Sequence, residues 1–238
     1  MEKHELIQFL DLTTLNIDDT EPDVQKLTEK ALKLKQKVAS ICTFPNFSAF
    51  VHQKLKDKGI NTCAVSASFP TAQTFPEVKF LEVKMALDNG ADEIDVVMDL
   101  GMLKANNHQG IIDEIAYIKS LLGDKILKVI IESGYLKTEK QIALATKLAI
   151  EGGADFVKTS TGKNSPGATP KAVEIICKTI KEMNALNVGV KVSGGVRTFV
   201  DALTYYNIVE KELGKSYLVP SKFRIGASSL LDDLVERF

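Results

Sequence analysis

The sequence predicts a TIM-type (β/α)8 barrel forming a single domain over residues 1–238, and three observations carry that prediction. Eight short apolar runs recur along the 238 residues, each followed by polar or glycine residues and then by helix-like spacing. Alternation of this kind builds a parallel sheet covered by helices, and eight units in one domain of this length is the barrel count. The first loop, Thr13-Thr14-Leu15-Asn16, contains no GxGxxG, which disfavours the competing doubly wound dinucleotide-binding sheet.

The runs can be justified in order. The first covers residues 9–15, where Asp11 and Thr13 alternate with leucines, and helical spacing follows over 23–37 (Val24, Leu27, Ala31, Leu34). The second covers 38–44, is ended by Pro45-Asn46, and leads to a helix over 47–58. The third, 61–69, is closed by Pro70, and the helix after it, 77–88, stops at Asn89-Gly90. The fourth, 93–99, precedes a helix over 109–122. The fifth, 128–132, is nearly all aliphatic; its helix starts at Thr138 as N-cap, with Gln141 three residues on. The sixth ends in Lys158, and its helix opens at Thr169-Pro170, a threonine cap with proline at the first helical position. The seventh, 188–193, ends in Gly194-Gly195 before another helix. The eighth covers 223–226, with Ser228-Ser229 placed to cap the closing helix.

Composition sets the class. With 45% hydrophobic and 26% charged residues the chain is an ordinary globular sequence, and a net charge of −1 gives no bulk attraction to nucleic acid or membrane. No apolar stretch approaches membrane-spanning length, and the charged start Met1-Glu2-Lys3-His4-Glu5 is no secretory signal. Cys42, Cys63 and Cys177 are widely spaced without CxxC, which fits reduced thiols in a cytoplasmic protein. His4, His52 and His108 show no ligand spacing, so no metal site is expected.

The strands carry unexpected charge. Side chains alternate inward and outward along a barrel strand, and the outward set must meet the helices. Ile94 and Val96, Val190 and Val192, and the leucines around Asp11 suit that task; by elimination Asp11, Asp95, Lys158 and Lys191 point inward. Buried ion pairs add little stability compared with apolar packing, so a purely structural network is the weaker explanation for two interior lysines. Strand ends line the active face of barrels. An amine beside a second cation sheds its proton more readily and can attack a carbonyl to form a Schiff base, with Asp95 moving protons. Periodicity does not choose which lysine is the nucleophile and which the tuning charge.

A second cluster lies in the loops where barrels bind phosphate. Gly194-Gly195-Val196-Arg197 is expected to bring backbone and a helix N-terminus to an anion, and Gly226-Ala227-Ser228-Ser229 to do the same at the last helix. Gly162-Lys163 after the sixth strand supplies a third side. Cys42 sits on the second strand, where the plainer expectation is a small core residue.

These motifs resemble the deoxyribose-phosphate aldolases, class I aldolases on a TIM barrel. The resemblance runs from 10–15 to 223–229 and is most specific at 90–97, 128–132, 156–162 and 191–198. It implies reversible cleavage of 2-deoxy-D-ribose 5-phosphate to D-glyceraldehyde 3-phosphate and acetaldehyde, without metal or organic cofactor, in deoxynucleoside catabolism. It places Lys158 as the Schiff-base lysine, Lys191 as the lysine that tunes it, and Asp95 as the proton relay. Asp11, Thr13, Cys42 and Thr161 fall at substrate-binding positions. Gly162, Lys163, Gly194, Gly195, Arg197, Gly226, Ser228 and Ser229 fall at the phosphate end. Similar proteins are often homodimers. Two departures stand out: Ala72 replaces a frequent glycine after Phe69-Pro70, and the chain stops at Phe238 where some members carry a tyrosine-ended tail. Tail assistance to proton transfer is therefore expected to be missing or supplied otherwise. The main rivals are a different Schiff-base aldolase and a sugar-phosphate binder that kept the barrel.

Overall fold

In a computed structural model, which describes residues 2–164 and 166–235, eight parallel strands close into one barrel in sequence order, β8 pairing with β1. The order is β1 (Leu10–Thr13), α1 (Glu21–Leu32), β2 (Ser40–Thr43), α2 (Ser48–Leu55), β3 (Asn61–Ser66), α3 (Pro76–Asp88) and β4 (Glu93–Val97). It continues with α4 (Leu100–Lys104), α5 (His108–Leu122), β5 (Ile126–Ile130), α6 (Glu139–Glu151), β6 (Phe156–Lys158) and α7 (Pro170–Glu182). The last elements are β7 (Gly189–Ser193), α8 (Phe199–Leu213), β8 (Phe223–Ala227) and α9 (Leu230–Leu234). No helix among the described residues is long and apolar enough to cross a membrane.

The strands are sorted by side-chain parity. Leu10, Leu12, Ile94, Val96, Val190, Val192, Phe223 and Ile225 face outward into the large core shared with the helices. The inward apolar residues form two small separate clusters, one around Cys42, Cys63 and Val65, the other around Val97 and Ile130. Much of the remaining barrel interior is charged and buried, with Phe156 lying under Arg224 and Ser40 beside Asp11.

Caps fix the helix starts. Thr20 with Asp23, Thr138 with Gln141, and Thr198 with Asp201 form reciprocal capping boxes, and Thr169 accepts from the Ala172 N–H. Helix α1 ends at Leu32 rather than Lys37 because the chain must fold back to bring buried Val38 under the barrel and enter β2. A one-turn 3-10 segment, Pro45–Phe47, precedes α2. Ala72 has a left-handed backbone (φ 59°) and is fully buried against Val97 and Ile130. An alanine in that conformation costs about 1 kcal/mol. Phe238 lies outside the described residues.

Candidate active site

Strand register brings the charged side chains together. Lys158 and Lys191 are direct partners across β6 and β7, as are Asp95 and Lys128 across β4 and β5, and Lys191 and Arg224 across β7 and β8. Lys158 Nζ and Lys191 Nζ each donate to the same oxygen, Asp95 Oδ2, at 2.7 Å. One carboxylate oxygen thus holds two amines in each other's immediate neighbourhood. Lys191 also contacts Asp11 Oδ2 at 2.6 Å. Lys128 donates to Asp95 Oδ1 at 3.1 Å and to Glu93, while Arg224 donates to Asp11 Oδ1 at 2.5 Å and to Glu93 Oε1 at 2.9 Å.

The parity argument for Asp11, Asp95, Lys158 and Lys191 agrees with this geometry but was incomplete. Glu93, Lys128 and Arg224 also point inward, and each could have been found by the same test. Glu93 lies two residues before Asp95; Lys128 shares a face with Ile130; Arg224 sits between outward Phe223 and Ile225. An aliphatic-looking fifth run hid the lysine that closes the network.

Above this network opens a cavity of about 290 Å³. Its lining includes Thr13, Lys158, Thr161, Gly162, Lys163, Gly194, Gly195, Arg197, Gly226, Ser228 and Ser229. Of the interior charges only Lys158 lines it; Asp11, Asp95 and Lys191 are fully buried beneath. Two expectations change here. Cys42 does not line the cavity: it is fully buried against Cys63 and Val65, in the cluster that also holds Leu15, the small-core-residue outcome. Asp11 likewise acts from beneath, through Lys191 and Arg224, rather than as a cavity wall.

The anion end also differs in detail. No α8 N-terminus is free to meet an anion, because Asp201 accepts from the N–H groups of Arg197 (3.0 Å) and Thr198 (2.9 Å), and Asp233 accepts from Phe199 (2.6 Å). Helix α9 has five residues, and the Ser229 side chain makes no cap bond. Loop backbone does the work instead. Gly194 and Gly195 both have left-handed φ (85° and 89°), and among the described residues the N–H groups of Gly195, Val196, Ser228 and Ser229 donate to no protein acceptor. Successive free N–H groups curved by such dihedrals form an anion-binding concavity.

Charge fixes the network's ionisation. Burial alone would raise the Asp11, Glu93 and Asp95 carboxyls, yet the surrounding lysines and Arg224 hold all three below the carboxylate range. Burial would likewise lower Lys128 and Lys191, but their carboxylate partners hold both above the usual lysine range. Cys42, Cys63 and Asp95 lie within 4.8 Å of one another, but ammonium groups already occupy the Asp95 oxygens and contact Cys63 Sγ at 3.4 Å. A cation would have to displace them.

A pH prediction follows with definite signs. The unfolded chain protonates these carboxyls near pH ~4, the folded barrel only in stronger acid, so their contribution is complete above about pH 5 and lost as pH falls further. The raised ammonium groups contribute fully below about pH 10 and lose that contribution as pH rises beyond it. Thermal melting should show a Tm plateau between those limits and a fall at both ends; a Tm that rises below about pH 4 would contradict the assignment.

A TIM barrel whose mouth carries a buried amine over a shared carboxylate, beside loops with free backbone N–H groups, fits a lyase of the aldolase class. Residues 5–235 match the family described as DeoC/LacD family aldolase, and the chain belongs to that family. It is 37% identical to a Caenorhabditis elegans protein named "Putative deoxyribose-phosphate aldolase", over 99% of this chain and 81% of the relative. A solved Toxoplasma gondii structure of the same designation superimposes with a TM-score of 0.89 at 28% identity, covering 98% of this chain and 92% of that one. The deoxyribose phosphate aldolase of Aeropyrum pernix, described as a tetramer, gives a TM-score of 0.78 at 28% identity over 98% and 91% of the two chains.

Proposed function

We propose that this aldolase reversibly cleaves 2-deoxy-D-ribose 5-phosphate into D-glyceraldehyde 3-phosphate and acetaldehyde through a Schiff base on Lys158. One observation carries the assignment of the nucleophile: Lys158 is the amine of the interior cluster that faces the cavity, and it shares an Asp95 oxygen with Lys191. The Lys191 ammonium is locked in place by Asp11 and Asp95, so a fixed positive charge stands beside the Lys158 amine.

The Lys158 Nζ lone pair attacks the open-chain aldehyde carbon to give a carbinolamine, and uptake of one proton with loss of water leaves a protonated imine. Removal of the C3 hydroxyl proton breaks the C2–C3 bond, and the electron pair passes into the imine to give an enamine. D-Glyceraldehyde 3-phosphate departs; protonation of the enamine and hydrolysis release acetaldehyde and the free lysine. Asp95, 2.7 Å from both amines, offers the nearest site for protons moving between them. The phosphate is held by the free N–H groups after β7 and β8, the Ser228 and Ser229 hydroxyls, and the cations Lys163 and Arg197 at the rim.

Supplying the purified protein with 2-deoxy-D-ribose 5-phosphate, and following acetaldehyde by its reduction with NADH and alcohol dehydrogenase, tests the reading. Steady acetaldehyde release is expected; none would overturn it. Ser229→Glu places a carboxylate at the phosphate end and is expected to raise KM for the phosphorylated sugar about tenfold with kcat within about threefold. An unchanged KM would remove the phosphate assignment.

A further inference from the structure

Past β5 the chain turns at Glu132, a residue with no role in the steps above. Its backbone is left-handed (φ 47°), a strained choice for a long side chain, and the residue is 2% exposed. A carboxylate buried to that degree requires hydrogen-bond donors. They all come from one loop, the connection between β6 and α7. Thr161 Oγ1 donates to Oε2 at 2.6 Å, Thr161 N–H to Oε1 at 3.3 Å, and Asn164 Nδ2 to Oε2 at 3.2 Å. Among the described residues no cation pairs with it.

From Glu132 the contacts lead to the cavity. Thr161 Oγ1, while donating to Glu132, accepts from the Lys163 N–H at 3.1 Å. Lys163 Nζ then reaches the Leu15 carbonyl on the β1 loop, across the cavity mouth. The two loops are also fitted from behind. The Ser133 N–H donates to Thr159 O at 2.7 Å, and a Cβ added at Gly134 would lie 1.8 Å from Pro166 O. Glu132 itself does not line the cavity, and its carboxylate oxygens are turned to the loop. That geometry does not suit a general base.

We infer that Glu132 is a positioning residue whose buried carboxylate sets the placement of Thr161, Gly162 and Lys163, and so governs recognition of the phosphorylated end of the substrate. The inference rests on the reading of that cavity end as the phosphate site. Its consequence is selective: weakening Glu132 should loosen the grip on phosphate while Lys158, anchored on β6 by strand pairing and Asp95, keeps its place.

The experiment compares 2-deoxy-D-ribose 5-phosphate with unphosphorylated 2-deoxy-D-ribose in the wild type, Glu132→Gln, Thr161→Val and the double variant. Glutamine keeps the shape but turns one acceptor into a donor facing other donors. Glu132→Gln should raise KM for the phosphorylated sugar about tenfold and alter kcat/KM for the unphosphorylated one by less than about twofold. Thr161→Val should also raise KM for the phosphorylated sugar, and on that substrate the double variant should lose much less than the product of the two single effects, because both break one chain of contacts. Equal losses on both sugars in Glu132→Gln, or no change on either, would overturn the inference while leaving the aldolase reading intact. Should Glu132→Gln fail to fold, Glu132→Asp, which keeps the charge but shortens the reach to Thr161 and Asn164, takes its place, with equal losses on the two sugars counting against the inference. A wild type that cleaves neither sugar removes the aldolase reading and this inference with it.

Discussion

With Lys158 replaced by methionine, cleavage of the phosphorylated sugar is expected to fall by about four orders of magnitude or more, because no other amine lines the cavity within reach of Asp95. The fold should not suffer. The barrel interior holds four cations (Lys128, Lys158, Lys191, Arg224) against three carboxylates (Asp11, Glu93, Asp95). Removing Lys158 leaves three against three, and Asp95 keeps Lys128 and Lys191 as partners. Tm is therefore expected within about 3 °C of the wild type, or above it. Steady-state rates and a melting curve on the same preparation check both halves. Residual activity above about a hundredth of the wild type would move the nucleophile elsewhere.

Lys191→Leu is expected to be nearly as damaging by a different route, lowering kcat about a hundredfold to a thousandfold. Leucine also brings the interior to three cations against three carboxylates, but here Asp11 and Asp95 each lose a close contact. Asp11 retains Arg224 and Lys128, and Asp95 retains Lys158 and Lys128, so the variant should fold with a loss of about 2–4 kcal/mol. The amine at Lys158 then faces Asp95 without the Lys191 ammonium beside it. Activity should survive best at alkaline pH, the rising limb of the kcat profile moving upward by about one unit or more. A variant with lowered kcat but an unmoved profile would assign Lys191 a packing role only.

The barrel was legible because a two-residue period separates faces cleanly. Once the aliphatic residues of β4 and β7 are sent outward to the helices, Asp95 and Lys191 have nowhere else to go, and they are found inside. On β5 and β8 a single charge, Lys128 or Arg224, stands in an otherwise aliphatic run, and the two-residue period sends it inward as well. Vertical position was a different matter. Alternation tells inward from outward but not how deep a residue sits below the mouth, which depends on strand stagger. Hence Cys42 and Asp11 share a parity with cavity residues and yet are fully buried and outside the cavity lining. The glycines before α8 signal a backbone approach to an anion, but the capping box of Thr198 and Asp201, which takes up N–H groups at the helix start, becomes visible only in the fold. Glu132 closes the fifth run, but its role does not show in the sequence, since it arises from a contact between two loops.

The central claim is that one particular amine forms the covalent bond to carbon. Incubating the protein with acetaldehyde, reducing with borohydride and mapping the peptides by mass tests it most directly. The account predicts an N-ethyl group on Lys158 and on no other interior lysine. An ethyl group on Lys191 or Lys128 instead, or a chain that resists labelling under conditions where it turns over substrate, would contradict it.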